Sequence, residues 1–206
     1  DKVWFDTLLR NNGLPVPPRI PLDSKNSANR FRVVIQERKS MGGFGTVFEK
    51  RLPNDISVGN RLIRRYIPGI PLGISIFMDQ RGNYFSSCVR RQCYARMRPF
   101  PEQYLGIQWM PTNDFSRDER SAIEDMTTKL CALLRTINFF GVANFDFILH
   151  NNRCFILECN PRFSGATPHI MMHPRLTHHS HPWRFLLNTF RNRRNAPIRN
   201  ARIPRS

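Results

Sequence analysis

Two carboxylates and an amide lie close together near residue 150, at spacings that suit a metal ion. Asp146 sits in an apolar run, residues 145–149; a polar turn covers 150–153, and a second apolar run spans 154–159, with Glu158 near its end and Asn160 two residues on. Two such runs about a polar turn predict paired β-strands. Side chains at i and i+2 of a strand share a face, so Glu158 and Asn160 can converge with Asp146 across the pair. An all-oxygen set of this kind suits Mg2+, which is held by one or two carboxylates together with phosphate oxygens. A plain hairpin with polar ends carries the same residue types, and the spacing alone leaves both readings open.

A glycine-rich stretch adds a second candidate. Ser40, Met41, Gly42, Gly43, Phe44, Gly45 and Thr46 follow one apolar strand pattern, residues 31–35, and precede another. Glycines there let backbone N–H groups approach and wrap a phosphate chain. The loop lacks Gly-Lys-Ser/Thr and is not followed by a helical pattern, which excludes a P-loop and the dinucleotide fingerprint. By itself it also fits an ordinary hairpin turn.

Taken together, and about 110 residues apart, these two motifs resemble the ATP-grasp superfamily of carboxylate–amine ligases. Asp1 and Lys2, followed by residues 13–17, look like its opening helix and loop. Residues 40–46 look like its phosphate loop, and residues 62–69 like the hinge that receives adenine. Asp146 with Glu158, Asn160, Arg162 and Gly165 looks like its metal site. The resemblance covers roughly residues 1–168. It implies an α+β fold of two subdomains sandwiching a nucleotide, with ATP and Mg2+ (or Mn2+) as cofactors. The implied reaction activates a carboxylate as an acyl-phosphate and joins it to an amine.

The same resemblance assigns roles. Asp146, Glu158 and Asn160 would hold Mg2+. Gly42, Gly43, Gly45 and Thr46 would cover the phosphates, with Gln36 and Arg38 beside them. Tyr66 and Ile67 would offer backbone groups to adenine. Arg162 would stabilise charge on the transferring phosphoryl group, and Lys2 would lie near the phosphates. Arg90 or Arg91 would clamp a substrate carboxylate, with Ser164 and Gly165 on the same side; a strand-edge charge pair explains Arg90 and Arg91 equally well. The sequence departs from the family pattern at three places. Gln36 stands where a lysine is usual, Arg64 or Arg65 replaces an acid that opens the hinge, and Pro71 falls where an acid contacts the ribose. Arg38 and Lys39, or Gln36 itself, could supply the missing phosphate contact.

The elements that must position these residues follow from periodicity and punctuation. Residues 4–12 show helical spacing of Trp4, Phe5, Leu8 and Leu9 and stop at Gly13. Strands are expected at 31–35, 46–49 and 61–66, then at 74–78, 84–93 and 105–109, with a hinge at 69–73 and a hairpin turn at 80–83. The clearest helix runs over 116–140. Ser116 is its N-cap with Glu119 three residues on, Ile123, Met126, Leu130, Leu133, Leu134 and Ile137 form its buried face, and Gly141 is its stop. The expected organisation is an opening helix and linker at 1–20, a small subdomain at 21–68, a large one at 69–173 and a basic helix and tail at 174–206. The N-terminal domain that precedes such a region in relatives is expected in the full protein.

Composition bounds the remaining possibilities. With 206 residues, 40% hydrophobic content and 16 Phe, the chain can bury a core. No apolar run approaches a membrane span, and no secretory signal is visible, so a reducing, cytoplasmic compartment is expected. The five cysteines contain no Cys-x-x-Cys pair. Five lysines and 27 arginines face 15 acids, and no acid follows Glu158. The basic C-terminus would attract RNA, an acidic polypeptide or an anionic surface; a solvated helix with a frayed tail, or a general arginine bias, accounts for it equally. His169, His173, His178, His179 and His181 crowd the region after the metal motif without the spacing of a closed zinc site. Two rivals to the ligase remain: an ATP-binding module that has lost catalysis, and a polyanion-binding protein on the same scaffold.

Overall fold

An N-terminal acid starts the first element. In the computed structural model, which describes residues 1–20, 31–39, 45–53, 61–95, 103–177 and 182–191, Asp1 caps helix α1 (Lys2–Asn11) by accepting from the Trp4 amide at 3.1 Å. Gly13, at φ +67°, closes it, as only a residue at ease in the left-handed region can. Phe5, Leu8 and Leu9 pack inward, whereas Trp4, expected on that face, is exposed.

Strands β1 (Val33–Glu37), β2 (Thr46–Glu49) and β3 (Arg61–Arg65) form an antiparallel sheet in the order β2-β1-β3. Val33, Ile35, Leu52 and Ile63 are its core. A second antiparallel sheet is built from β4 (Ile70–Met78), β5 (Tyr84–Ser86), β6 (Arg90–Ala95), β7 (Gln103–Trp109), β8 (Gly141–His150) and β9 (Arg153–Asn160), ordered β7-β6-β4-β8-β9 with β5 also on β4.

Alternation sorts the residues of this sheet. Leu72, Ile74, Ile76 and Met78 of β4, with Ala143, Phe145, Phe147 and Leu149 of β8, face the main core. Helix α1 and helix α2 (Arg117–Thr136) cover that face. The opposite face carries Gly73, Ser75 and Phe77 paired with Asp146, Asn144 and Val142. Phe77 and Val142 pack under helices α3 (Thr167–Met172) and α4 (Pro182–Arg191), leaving the polar layers as the site.

Several expectations change. The capping box at Ser116 and Glu119 is present. The helix, however, ends at Thr136, because Asn138 turns left-handed at φ 52° and Phe139 folds back to donate to the Leu134 carbonyl at 2.9 Å. Ile137 is therefore exposed, and Gly141 opens β8 instead of stopping the helix. The expected hinge at 69–73 is mostly strand, since Ile70 already pairs with Leu149. Gly69 precedes it in a close approach: a Cβ there would collide with the Leu149 carbonyl. The single strand expected at 84–93 breaks at Ser87, whose amide donates to the Ser75 carbonyl and which bridges Thr177. The turn at 80–83 forms as expected, with Asp79 Oδ1 accepting from Arg81 and Asn83.

All five cysteines are free thiols, and burial pushes Cys131, Cys154 and Cys159 up to about 12. They act as small apolar side chains. No helix among the described residues is long and apolar enough to cross a membrane.

Candidate functional site

The hairpin β8–β9 brings the carboxylates together through two local devices. Its two-residue turn places Asn151 and Asn152 at φ 47° and 56°, the left-handed pair that suits a tight hairpin and that asparagine tolerates. A register shift then falls between Asp146 and Phe147: Phe147 pairs with Ile156, but Asp146 pairs with Glu158, so Leu157 is an extra residue. Cys154 and Ile156 point into the main core. Strict alternation would send Glu158 after them; the bulge turns it onto the face of Asp146. Asn160 pairs with Asn144 on the same face.

The two acids interact strongly. Burial raises Asp146, and Glu158 opposite, both by its charge and as a hydrogen-bond partner, raises it further, to about 7. Arg90 and Gln92 pull the other way, Gln92 Nε2 donating to Asp146 Oδ1 at 2.7 Å. Gly73 stands between Asp146 and Arg90 as the register partner of both, and Arg90 fills its missing side chain: a Cβ would lie 3.1 Å from the guanidinium carbon. Glu158 accepts from Asn160 Nδ2 at 3.1 Å and faces Lys2 Nζ at 3.7 Å.

Asn144 anchors the segment after β9. Its Oδ1 accepts from Ser75 Oγ at 2.6 Å and Ser164 Oγ at 3.0 Å, while its Nδ2 donates to the carbonyls of Asn160 and Arg162. Ser75 also accepts from Arg90 Nη1 at 3.0 Å. Ser164, expected beside substrate, thus serves as a tether, while Arg162 and Gly165 are exposed. Arg90 and Arg91, either of which is expected to clamp a substrate carboxylate, face opposite ways as adjacent strand residues do: Arg90 is buried against Ser75 and Arg91 is exposed.

On the three-stranded sheet, Gln36 and Thr46 are register partners, and Gln36 Nε2 lies 3.4 Å from Thr46 Oγ1. Gly45 holds φ +69°, its carbonyl accepting from the Glu37 amide. Gly42 and Gly43, with most of the expected phosphate loop, lie outside the described residues. Arg38 is engaged by Asp1, and its carbonyl accepts from the Lys2 amide, which sets Lys2 beside Glu158. Of the Tyr66 and Ile67 backbone groups expected to face adenine, the Tyr66 amide donates to the Arg32 carbonyl, extending strand-like pairing past β3. Tyr66 also carries the Arg32 guanidinium 4.4 Å above its ring, and Ile67 comes next, half-buried.

The two arginines at the departure from the family pattern separate. Arg65 is exposed over Phe31. Arg64 is buried, donating to Gln36 Oε1 and, at 3.2 Å, to the Leu157 carbonyl. It also faces buried Asp6 at 3.6 Å, which Arg10 and Arg19 hold at 2.8 and 2.6 Å. Desolvation lowers Arg64 to about 10, opposed by Asp6 and Glu158, so it stays charged at neutral pH. Asp6 is a site residue that motif matching misses; its helical spacing to Arg10 is the one signal of it in the sequence.

Other candidates fall away from this centre. A cavity of about 580 Å³ lined by Gly13, Asp118, Asp125, Lys129 and Cys154 lies on the covered face of the sheet and includes none of the site residues. His169 and His173 lie on and just after α3, and His178, His179 and His181 are outside the described residues. Among the described residues no three His, Cys, Asp or Glu side chains are grouped to hold a metal, so the candidate centre is two carboxylates and an amide.

Two antiparallel sheets with helices packed on them, flanking a carboxylate centre, make an α+β architecture. A family model described as ATP-grasp domain matches residues 1–166, and the chain belongs to that family. Solved structures agree on the fold. The biotin carboxylase domain of Hydrogenobacter thermophilus 2-oxoglutarate carboxylase, in complex with MgADP, ADP and bicarbonate, gives a TM-score of 0.64 at 17% identity, covering 82% of this chain and 41% of that one. D-alanine–D-alanine ligase from Bacillus anthracis gives 0.64 at 15% identity, covering 94% and 68%. N5-carboxyaminoimidazole ribonucleotide synthetase from Thermotoga maritima gives 0.56 at 16% identity, covering 81% and 42%. The chain therefore spans about two fifths of the biotin carboxylase chain it matches.

Proposed function

We propose that this chain is the nucleotide-binding region of an ATP-dependent ligase that activates a carboxylate and joins it to an amine. The observation that carries the reading is the Asp146–Glu158 pair, set in register by the bulge at Leu157 on the uncovered face of the sheet. The donor set fits a hard divalent cation. It is all oxygen, with Asn160 donating an amide hydrogen to Glu158, and the repulsion by which Glu158 raises Asp146 is relieved by a cation between them. Asp146, Glu158 and Asn160 would hold Mg2+, which when bound neutralises phosphate oxygens.

The chain's own residues supply the rest. Gly45 and Thr46, with Gly42 and Gly43, cover the phosphates, and the stretch at Tyr66 and Ile67 walls the base. Lys2 lies next to Glu158, where its ammonium meets the transferring phosphoryl group. Arg162, presented by the Asn144 tether, stabilises charge as the substrate carboxylate oxygen bonds to the γ-phosphorus and the bond to ADP breaks. Nitrogen then attacks the acyl carbon, phosphate leaves, and the amine loses its proton. The resemblance to ligases that use ATP supports this order.

Calorimetry of ATP binding, with and without Mg2+ and at high salt, tests the reading. Saturable Mg-dependent binding weakened at least tenfold by Glu158→Gln and Asn160→Ala is expected. Arg162→Ala should spare that affinity and lower turnover by roughly a hundredfold. Binding indifferent to Mg2+ and to Glu158 would sink the proposal, and tight binding without ADP release on any acid and amine would leave a silent nucleotide module.

A further inference from the structure

One buried cation in the site is only partly used. Arg90 lies on the site face of β6, is the register partner of Gly73 on β4, and is 4% exposed. The Cβ position of Gly73 is 3.1 Å from its Cζ, 3.1 Å from Nε and 3.2 Å from Nη2. Such near-equal distances mean that the guanidinium lies flat over a glycine with no side chain to displace it. Nη1 donates to Ser75 Oγ, whose own proton goes to Asn144, and this fixes the direction of the group in its plane. Among the described residues Nε and Nη2 have no acceptor, and no acid makes an ion pair with Arg90. No fully enclosed side-chain nitrogen or oxygen among them lacks a partner, so these two donors open onto the site. Burial lowers the guanidinium from its usual range, with Asp146 opposing. A buried charge whose fork is idle is set to receive an anion.

The Nε–Nη2 edge is the fork that meets a planar carboxylate through two parallel hydrogen bonds. Strand order decides which carboxylate this is. A cation held by Asp146 and Glu158 belongs to β8 and β9, whereas Arg90 extends from β6 over β4, on the other side of Asp146. One strand spacing, about 4.8 Å, separates Gly73 under the guanidinium from Asp146. An anion in the fork therefore lies beside the centre of phosphoryl transfer and not within it. A carboxylate gripped by both oxygens also lacks the free oxygen that attack on phosphorus requires. Left unreacted, it keeps the charge that a buried guanidinium needs opposite it. We propose that Arg90 docks a carboxylate that the reaction does not consume, so that one reactant is an amino acid or a diacid. This deepens the ligase reading and rests on it for that reactant's place in the reaction.

The test uses the whole chain and carboxyl-labelled acetate, followed by NMR line broadening. ATP signals in the same sample report nucleotide binding independently. Saturable acetate binding is expected, weakened roughly tenfold in Arg90→Gln and several-fold in Arg90→Lys, which keeps the charge and loses the fork. Arg81→Gln removes the same charge from the turn at 80–83 and should leave the acetate Kd unchanged. An unchanged Kd in Arg90→Gln, or an equal loss in Arg81→Gln, overturns the subsite, as does inorganic phosphate binding there more tightly than acetate. Glycine bound more tightly than acetate places the docked carboxylate on the amine reactant, and succinate bound more tightly places it on the acid; neither result would overturn the reactant class. ADP release driven by acetate and lost in Arg90→Gln would mean that the fork holds the reacting carboxylate, against the proposal. Acetate binding without ATP binding keeps the subsite and overturns the ligase reading, whereas the reverse overturns the subsite alone.

Discussion

Arg64 reaches across the gap between the two sheets and donates to the Leu157 carbonyl at 3.2 Å. Leu157 is the bulged residue of β9, and a bulge leaves backbone groups without a ladder partner. The guanidinium satisfies that carbonyl and ties β3 to the strand that carries Glu158. Arg64→Met should therefore cost about 3 kcal/mol or more in denaturant unfolding, because Asp6 and the carbonyl both lose a buried partner. Arg64→Lys should recover only part of it, since one ammonium cannot serve Gln36, Asp6 and Leu157 together. A loss below about 1 kcal/mol in the Met variant would show that the bridge is dispensable.

Gln36 is matched to Arg64, so the lysine usual in relatives should not be accepted at this position. Gln36→Lys replaces the acceptor of a guanidinium hydrogen bond by a second cation. Destabilisation of roughly 1 to 3 kcal/mol is expected, relieved in the double variant with Arg64→Met. Additive losses in that double-mutant cycle would refute the coupling.

The acid pair gives a pH dependence with a definite sign. Asp146 titrates near 7 in the folded chain and at about 4 when unfolded. As pH rises through this window the unfolded chain releases the proton that the folded chain keeps, so stability falls from pH 4 to 7 and then levels. In chelator, wild type should lose melting temperature over this range relative to Asp146→Asn. Mg2+ should raise it more at pH 8 than at pH 5, because proton and metal compete for the same oxygens. Parallel pH curves for the two proteins would contradict the assignment.

Asn144 should control the order of the segment after β9. Asn144→Ala removes four hydrogen bonds, two of them to the carbonyls of Asn160 and Arg162. Faster amide exchange at residues 160–164, with β8 still protected, is the expected outcome. Uniform loss of protection would mean that Asn144 supports the whole sheet instead.

Much of this architecture was legible in the sequence because its signals are local. The capping box at Ser116, the stop at Gly13 and the asparagine turn each act within a few residues. The placement of Glu158 was legible only in part. Ile156 and Leu157 side by side hint at a broken alternation, but the bulge depends on its pairing with Phe147 and Asp146. Arg64 was the hardest to read. Next to Arg65 it looks like surface charge, and its burial depends on Asp6 on α1, Gln36 on β1 and Leu157 on β9, a convergence that only the tertiary structure creates. Gln92 was missed, although strand alternation in the string Arg90, Arg91, Gln92 pairs it with Arg90 and sets Arg91 apart.

Chain order gives the Asp6 cluster a further consequence, in time. During synthesis from the N-terminus, Arg64 emerges well before Leu157, and at ribosomal speed the gap lasts roughly 5 to 20 seconds. Asp6, which precedes it, is already present with Arg10 and Arg19. The acid on the opening helix can thus hold the arginine as a nascent counter-ion until the strand it will finally bridge has been made.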